Sequence, residues 1–276
     1  MILDGTKLNK EIAAELKRKI ALMESVPTMV AIQVGDNPSS NVYLARKANF
    51  AKKIGAALHV IKFPEDVVEI DLINQIHSIN KDEKVHGVIV QLPIPAHINF
   101  QKIVNTIKPD KDVDGLGAAN IYKLVNHDET GLIPATARAV VTLLQKNSVN
   151  LEGATAVVVG RSLLVGKSTA LHLLNQNATV TVCHSKTKDL SEKIKSVDIV
   201  VLATGHPGVA TDATFREGQV VVDVGITVVD GKICGDADVK KPEKLKAISP
   251  VPGGVGPMTV ASLFENLVKA YEVQNL

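Results

Sequence analysis

Val157-Val158-Val159-Gly160-Arg161-Ser162-Leu163-Leu164-Val165-Gly166 decides the fold of the second half of the chain. A β-branched run that ends at a glycine and passes into a helical pattern reads as the strand, turn and helix of an open parallel sheet. Such sheets bind ligands outside the carboxyl ends of their strands, where a glycine turn lets phosphate approach the amides at a helix N-terminus. Ser162 stands where the second glycine of G-x-G-x-x-G belongs, so the context carries this reading rather than the motif. Gly166-Lys167-Ser168 also invites a phosphate-loop NTPase reading. That fails on spacing, because five residues separate Gly160 from Gly166 and the Walker pattern has one fewer.

Downstream the alternation continues. A strand is expected at Ala154–Val159, a helix from Val165 to Asn175, and strands at Thr179–Cys183, Asp198–Leu202 and Val220–Val224. Sites for NAD place an acidic residue about 20 positions after the glycine turn, where it accepts the ribose 2′-hydroxyl. Here the second strand runs into Cys183-His184-Ser185-Lys186-Thr187-Lys188, with no carboxylate to repel a 2′-phosphate. Ser185 can donate to that phosphate and Arg161 can offer a charged fork, so NADP is the expected cofactor, held by Gly160, Arg161, Ser162 and Ser185. Cys183 and His184 are neighbours on a strand and point to opposite faces, so they cannot share an ion, and no metal site is expected. Alone, His184 reads as a partly exposed residue at a strand end.

The first half repeats the rhythm. Leu8, Ile12, Leu16 and Ile20 recur at steps of four behind Thr6, a candidate N-cap, and predict an amphipathic helix. A strand at Met29–Val34 follows, then a cluster of turn formers from Gly35 to Ser40, then a helix over Val42–Ile54 closed by Gly55. Strands are predicted at Leu58–Phe63 and Gly87–Gln91, and helices at Asp66–Asn80, Phe100–Ile107, Ala137–Lys146 and Met258–Val273. The fold class is therefore α/β, an N-terminal α/β lobe followed by a Rossmann-type parallel sheet. A domain junction is expected after the Lys108–Gly117 stretch, giving a first lobe of 1–120 and a nucleotide lobe of 121–257.

Tyr43 and Lys47, four apart on one helix, project to one face beyond the end of the first strand. Such a pair on its own is more often an exposed helix face than a site. Tyr-x-x-x-Lys is also the catalytic pair of short-chain dehydrogenases, but there it follows the glycine turn, whereas here it lies more than a hundred residues before it. Gln91 puts a polar amide at the end of a buried strand, where apolar residues are expected if nothing binds. Asp112 and Asp114 occupy the irregular stretch Lys108–Gly117; ordinary turn aspartates are the plain alternative, yet such loops carry function disproportionately.

Composition sets limits. The chain has 276 residues, 45% of them hydrophobic, enough for two cores. Lys and Arg number 31 against 29 Asp and Glu, a formal charge of +2 that gives no electrostatic case for nucleic acid or an anionic membrane surface. No apolar stretch approaches the roughly 20 residues of a membrane span, and the N-terminus has no secretory signal pattern, so a cytoplasmic protein is expected. Cys183 and Cys234 are too few for a disulfide framework and are expected to be small buried residues.

Taken together, Ser40-Asn41-Val42-Tyr43 through Lys47, Val90-Gln91-Leu92-Pro93, Lys111-Asp112-Val113-Asp114-Gly115, Gly160-Arg161-Ser162, Cys183-His184-Ser185-Lys186-Thr187 and Pro252-Gly253-Gly254-Val255-Gly256-Pro257-Met258-Thr259 closely resemble the bifunctional methylenetetrahydrofolate dehydrogenase/cyclohydrolase family. The match runs in order through nearly the whole chain. It departs at Pro134-Ala135-Thr136-Ala137-Arg138-Ala139, at Ser168 and at Ala237. The resemblance implies NADP-dependent oxidation of 5,10-methylenetetrahydrofolate to the methenyl form, then hydrolysis to 10-formyltetrahydrofolate. It implies that Lys47 moves the proton in hydrolysis, oriented by Gln91. Tyr43 would stack on the folate rings, Asp114 would accept from the pterin N–H groups, Pro252, Gly253 and Gly254 would approach the ligand, and Ile226 would pack near the nicotinamide. A discontinuous first lobe, 1–120 with the final helix 258–276, and a homodimer joined through nucleotide domains are also implied. A dehydrogenase with little cyclohydrolase activity and a non-catalytic NADP sensor are the alternative readings.

Overall fold

The structure, a computed structural model, describes residues 1–276. It divides into two compact units, one of Glu11–Ala135 with Val260–Leu276 and one of Met1–Lys10 with Thr136–Thr259.

The first unit contains most of α1 (Gly5–Ile20), β1 (Thr28–Val34), α2 (Pro38–Ile54), β2 (Ala57–Phe63), α3 (Glu69–Lys81), β3 (Gly87–Gln91), α4 (Phe100–Thr106) and α5 (Ala118–Val125). Its three strands form a parallel sheet in the order β2-β1-β3, with Gln33 in register with Gln91. One core lies where Val30, Ile32, Val88 and Val90 pack with Leu72, Ile76 and Ile103.

Two starts differ from the sequence reading for reasons of capping. Thr6 is not the N-cap of α1; the Lys7 amide donates to Asp4 Oδ1 at 2.9 Å. Helix α2 begins four residues before Val42, because Asn37 accepts from the amides of Ser39 and Ser40 and Pro38 takes the first turn. The turn formers before Val42 were thus a helix start. Gly55 ends α2 at φ 84°, a conformation open to glycine.

The second unit takes α6 (Ala135–Lys146) from its second residue, then β4 (Thr155–Val159), a π-helical turn at Leu163–Lys167, α7 (Ser168–Leu174), β5 (Thr179–Cys183), α8 (Leu190–Lys195) and β6 (Ile199–Leu202). It continues with β7 (Ala210–Thr211), β8 (Val220–Asp223), β9 (Thr227–Val229), β10 (Lys232–Cys234), β11 (Ala237–Asp238), β12 (Ala247–Ile248) and the start of α9 (Val255–Gln274). Five parallel strands lie in the order β12-β8-β6-β4-β5. Strand order therefore reverses at β4, and the crevice between the carboxyl ends of β4 and β6 is the topological switch point at which such sheets take ligands.

The division differs from the predicted boundaries. Asn120 accepts from the Leu132 amide, and Asn266 on α9 donates to the carbonyls of Val113 and Ile133, which keeps 121–135 with the first unit. The first ten residues go with the second unit, where the Leu3 amide donates to Ile248 and the Thr6 amide to Gly253. Cys183 is buried as expected; Cys234, on a short exposed hairpin, is only partly so. No helix is long and apolar enough to cross a membrane.

Candidate active site

Lys47 projects from α2 toward the end of β3, where its Nζ donates to Gln91 Oε1 at 3.0 Å. Gln91 is 8% exposed, and its Nε2 donates to the Leu92 carbonyl at 2.8 Å. That second bond fixes the amide so that an acceptor, not a donor, faces the lysine. Burial pushes the Lys47 ammonium below the ordinary lysine range, while the Asp114 charge pulls it back up. The same pair acts in reverse on Asp114, which burial raises and Lys47 lowers. A partly desolvated lysine beside a fixed acceptor is suited to holding and releasing a proton.

Tyr43 lies one turn before Lys47, with the Arg46 guanidinium 5.7 Å from its ring centroid. Ser40, on the first turn of α2, donates to the Leu92 carbonyl at 3.0 Å and ties the helix to the strand end that bears Gln91.

The two loop aspartates separate in role. Asp112 is 1% exposed and accepts from the amides of Gly115, Leu116 and Gly117 and from Asn120 Nδ2. It is a structural knot that holds the loop. Asp114 makes no such set of bonds and interacts electrically with Lys47.

Gln33 escaped the sequence reading. It is the penultimate residue of β1, in register with Gln91, is 1% exposed, and donates to Asn41 Oδ1 at 2.9 Å. A polar amide inside an otherwise apolar buried strand was the available signal, but Val34 follows it, so Gln33 did not mark the strand end as Gln91 does.

In the second unit, Gly160 has φ 137°, and a Cβ there would meet the Ala203 carbonyl oxygen at 2.2 Å. A Cβ on Gly166 would lie 2.3 Å from the Gly160 carbonyl oxygen. The turn thus packs backbone on backbone in the crevice between β4 and β6, a cradle that side chains would fill. Ser162 replaces the second glycine because it is the helix cap, its Oγ accepting from the Val165 and Gly166 amides. Ser168 donates from Oγ to the Leu163 carbonyl.

Val159 and Cys183 are register partners on β4 and β5, so Arg161 and Ser185 each stand two residues beyond a matched pair, and both are exposed. His184 Nδ1 accepts from the Lys186 amide, which occupies it in a local turn. Ile226 is exposed in the turn between β8 and β9. Gly253 has φ 112°, while Gly254 is buried against Pro250 and Ser249, and its carbonyl is approached by Gly5. Packing within the chain alone thus requires a glycine at 254. No group of three or more His, Cys, Asp or Glu side chains could hold a metal ion.

Residues 3–114 match the tetrahydrofolate dehydrogenase/cyclohydrolase catalytic domain, and residues 134–275 match the NAD(P)-binding domain of the same family. The chain belongs to the tetrahydrofolate dehydrogenase/cyclohydrolase family. As a member it is a bifunctional enzyme with dehydrogenase and cyclohydrolase activities. It is 44% identical to bifunctional protein FolD of Hydrogenobaculum sp. (strain Y04AAS1) over 273 residues, 98% of each chain. The crystal structure of the bifunctional FolD enzyme from Campylobacter jejuni superposes with a TM-score of 0.96 at 40% identity, covering 99% of both chains. The Trypanosoma brucei dehydrogenase-cyclohydrolase, solved with NADP cofactor and inhibitor, gives a TM-score of 0.93 at 33% identity, over 99% of this chain and 97% of that one.

Proposed function

We propose that this member of the tetrahydrofolate dehydrogenase/cyclohydrolase family performs hydrolysis with Lys47 and dehydrogenation against a dinucleotide held by the Gly160 turn. The enzyme oxidises 5,10-methylenetetrahydrofolate with NADP⁺ and hydrolyses the methenyl product to 10-formyltetrahydrofolate. The observation that carries the proposal is the Lys47–Gln91 pair, a lysine shifted toward neutrality beside an amide of fixed orientation.

When bound, the dinucleotide supplies the hydride acceptor. Gly160 and the amides after it fit the diphosphate, since the cradle has no side chain to exclude it. Arg161 and Ser185 meet the 2′-phosphate, Ser162 holds the turn, and Ile226 offers an apolar face to the nicotinamide. Oxidation then asks little acid-base work of the protein, because folate nitrogens stabilise the cation and positioning supplies most of the rate.

Hydrolysis is where the side chains act. Neutral Lys47 takes a proton from the water that adds to the cationic one-carbon centre, and the resulting ammonium gives it to the ring nitrogen as the C–N bond opens. The remaining hydroxyl proton leaves to solvent as the formyl C=O forms, so one proton is released and Lys47 is neutral again. The cationic substrate itself favours the neutral amine. Asp114 accepts from the pterin N–H groups, and Tyr43 stacks on the ring system.

A homodimer and a cytoplasmic location complete the reading. Strand β5 is an edge of its sheet, with Thr179, Thr181 and Val182 exposed on it, an unpaired row that a second copy can cover. Sedimentation of the wild type against Val182→Lys tests that assignment; a wild-type monomer removes it.

A coupled assay tests the whole proposal. Absorbance of the methenyl intermediate is followed with NADP⁺ and with NAD⁺ in turn. Transient methenyl signal, 10-formyl product and preference for NADP⁺ are expected; conversion that stops at the methenyl stage leaves only the dehydrogenase.

A further inference from the structure

Two carboxylates outside the assigned chemistry are among the most buried groups in the nucleotide unit. Asp223 is 3% exposed and Asp236 is 0% exposed, and no basic side chain is hydrogen-bonded to either. Asp223 Oδ1 accepts from the amides of Gly225 and Asp236, and its Oδ2 from the amide of Ala237. Asp236 Oδ2 accepts from the Thr204 amide at 2.6 Å, from Thr204 Oγ1 at 2.8 Å and from the Gly205 amide at 3.2 Å. Thr204 Oγ1 in turn accepts from the His206 amide, and Thr227 Oγ1 donates to the Gly205 carbonyl.

The pair therefore buckles three segments together: the turn after β6, the turn after β8, and the strand approach at Gly235–Ala237. Gly225 and Gly235 are required by this arrangement. A Cβ on Gly225 would meet Asp236 Oδ1 at 2.2 Å, and one on Gly235 would meet Asp223 Oδ2 at 2.1 Å. Asp236 Oδ1 has no hydrogen-bond partner, so the carboxylate bears a desolvation cost that its other oxygen alone offsets. A fold that needed only to connect these loops could use apolar packing. Two buried carboxylates instead set the direction of five backbone amides at the carboxyl edge of the central strands.

We propose that Asp236, acting through the Thr204–Gly205 turn and through Asp223, is a positioning residue for hydride transfer. It holds the β6 and β8 turns, and Ile226 with them, in the register that fixes the nicotinamide. This rests on the placement of the dinucleotide at that edge. Asp236→Asn puts an N–H₂ group among amide donors, and Thr204→Val removes one hydroxyl link with little change of volume.

The test measures, for both variants, dehydrogenase kcat and KM, NADPH affinity by its fluorescence, and cyclohydrolase rate without nucleotide. Asp236→Asn is expected to lower dehydrogenase kcat about tenfold or more, the cost of a small misplacement of reacting atoms, with Thr204→Val changing in the same direction. NADPH affinity and cyclohydrolase rate should stay within about threefold, since the ligand still binds but is misaligned. Loss of NADPH affinity in step with kcat means a merely structural role and overturns the proposal, as does an unchanged kcat. If Asp236→Asn fails to fold, Thr204→Val alone decides by the same criteria. Failure of the underlying cofactor placement shows differently, as an NADP⁺ affinity that Arg161→Ala leaves untouched.

Discussion

Lys47 Nζ and Gln91 Oε1 lie 3.0 Å apart, and the amide that makes this contact is held from behind by the Leu92 carbonyl. Gln91→Glu would replace a neutral acceptor with a carboxylate and stabilise the charged lysine. The alkaline shift of the cyclohydrolase pH profile should be about one unit or more, from an opposite charge in contact. A profile that does not move contradicts the orientation given to Gln91.

The wild-type profile has a definite sign. A lysine acts as a base only when neutral, and burial lowers the Lys47 pKa, so hydrolysis should rise with pH through a midpoint below the ordinary lysine value of 10.5. Asp114→Asn removes the charge that holds this pKa up and should move the midpoint lower still, while raising KM for the folate. Initial rates of methenyl loss, corrected for the uncatalysed reaction, measure both.

Asp112 governs stability instead. Burial is the largest influence on its carboxyl, raising the pKa from 3.8 to about 6 against the opposing hydrogen bonds. Because the folded value is the higher one, the folded state binds the proton more tightly. Its contribution to stability is fully present below about pH 4 and is lost as pH rises through about 6, a change of about 3 kcal/mol. Asp112→Asn should remove that pH dependence and, by setting an N–H₂ group against four donors, cost about 2–4 kcal/mol. Urea unfolding at pH 4 and pH 7 reads both effects.

Arg161→Ala should weaken NADP⁺ by about tenfold or more and NAD⁺ far less, because a charge-assisted contact to the 2′-phosphate is lost. Equal losses for the two nucleotides, measured by titration, would remove Arg161 from the 2′-phosphate.

The strands β3 and β5 were legible residue for residue, because continuous β-branched runs stopped at sharp polar boundaries. Helix α5 was not. It is only eight residues long and its buried positions are Asn120 and Leu124, so the face turned inward mixes polar with apolar, and Asn120 is there to bond Asp112 and the Leu132 amide. The pieces β7, β9, β10, β11 and β12 are two or three residues long, too short to show a period. Lys47 and Gln91 were singled out from their places near the carboxyl ends of two strands, and the structure joins them by a hydrogen bond. The Asp223–Asp236 buckle was invisible, since residues 13 apart in a loop meet only once the sheet is formed. Ser162 looked like a defect in a glycine motif until its capping bonds were seen.

One measurement bears most directly on the division of labour between the two halves of the chain. Lys47→Met is supplied with 5,10-methylenetetrahydrofolate and NADP⁺, and NADPH and the methenyl intermediate are followed together. Continued NADPH formation with methenyl accumulating and no enzymatic 10-formyl product is the predicted result. Hydrolysis at the wild-type rate in that variant would contradict the assignment of Lys47.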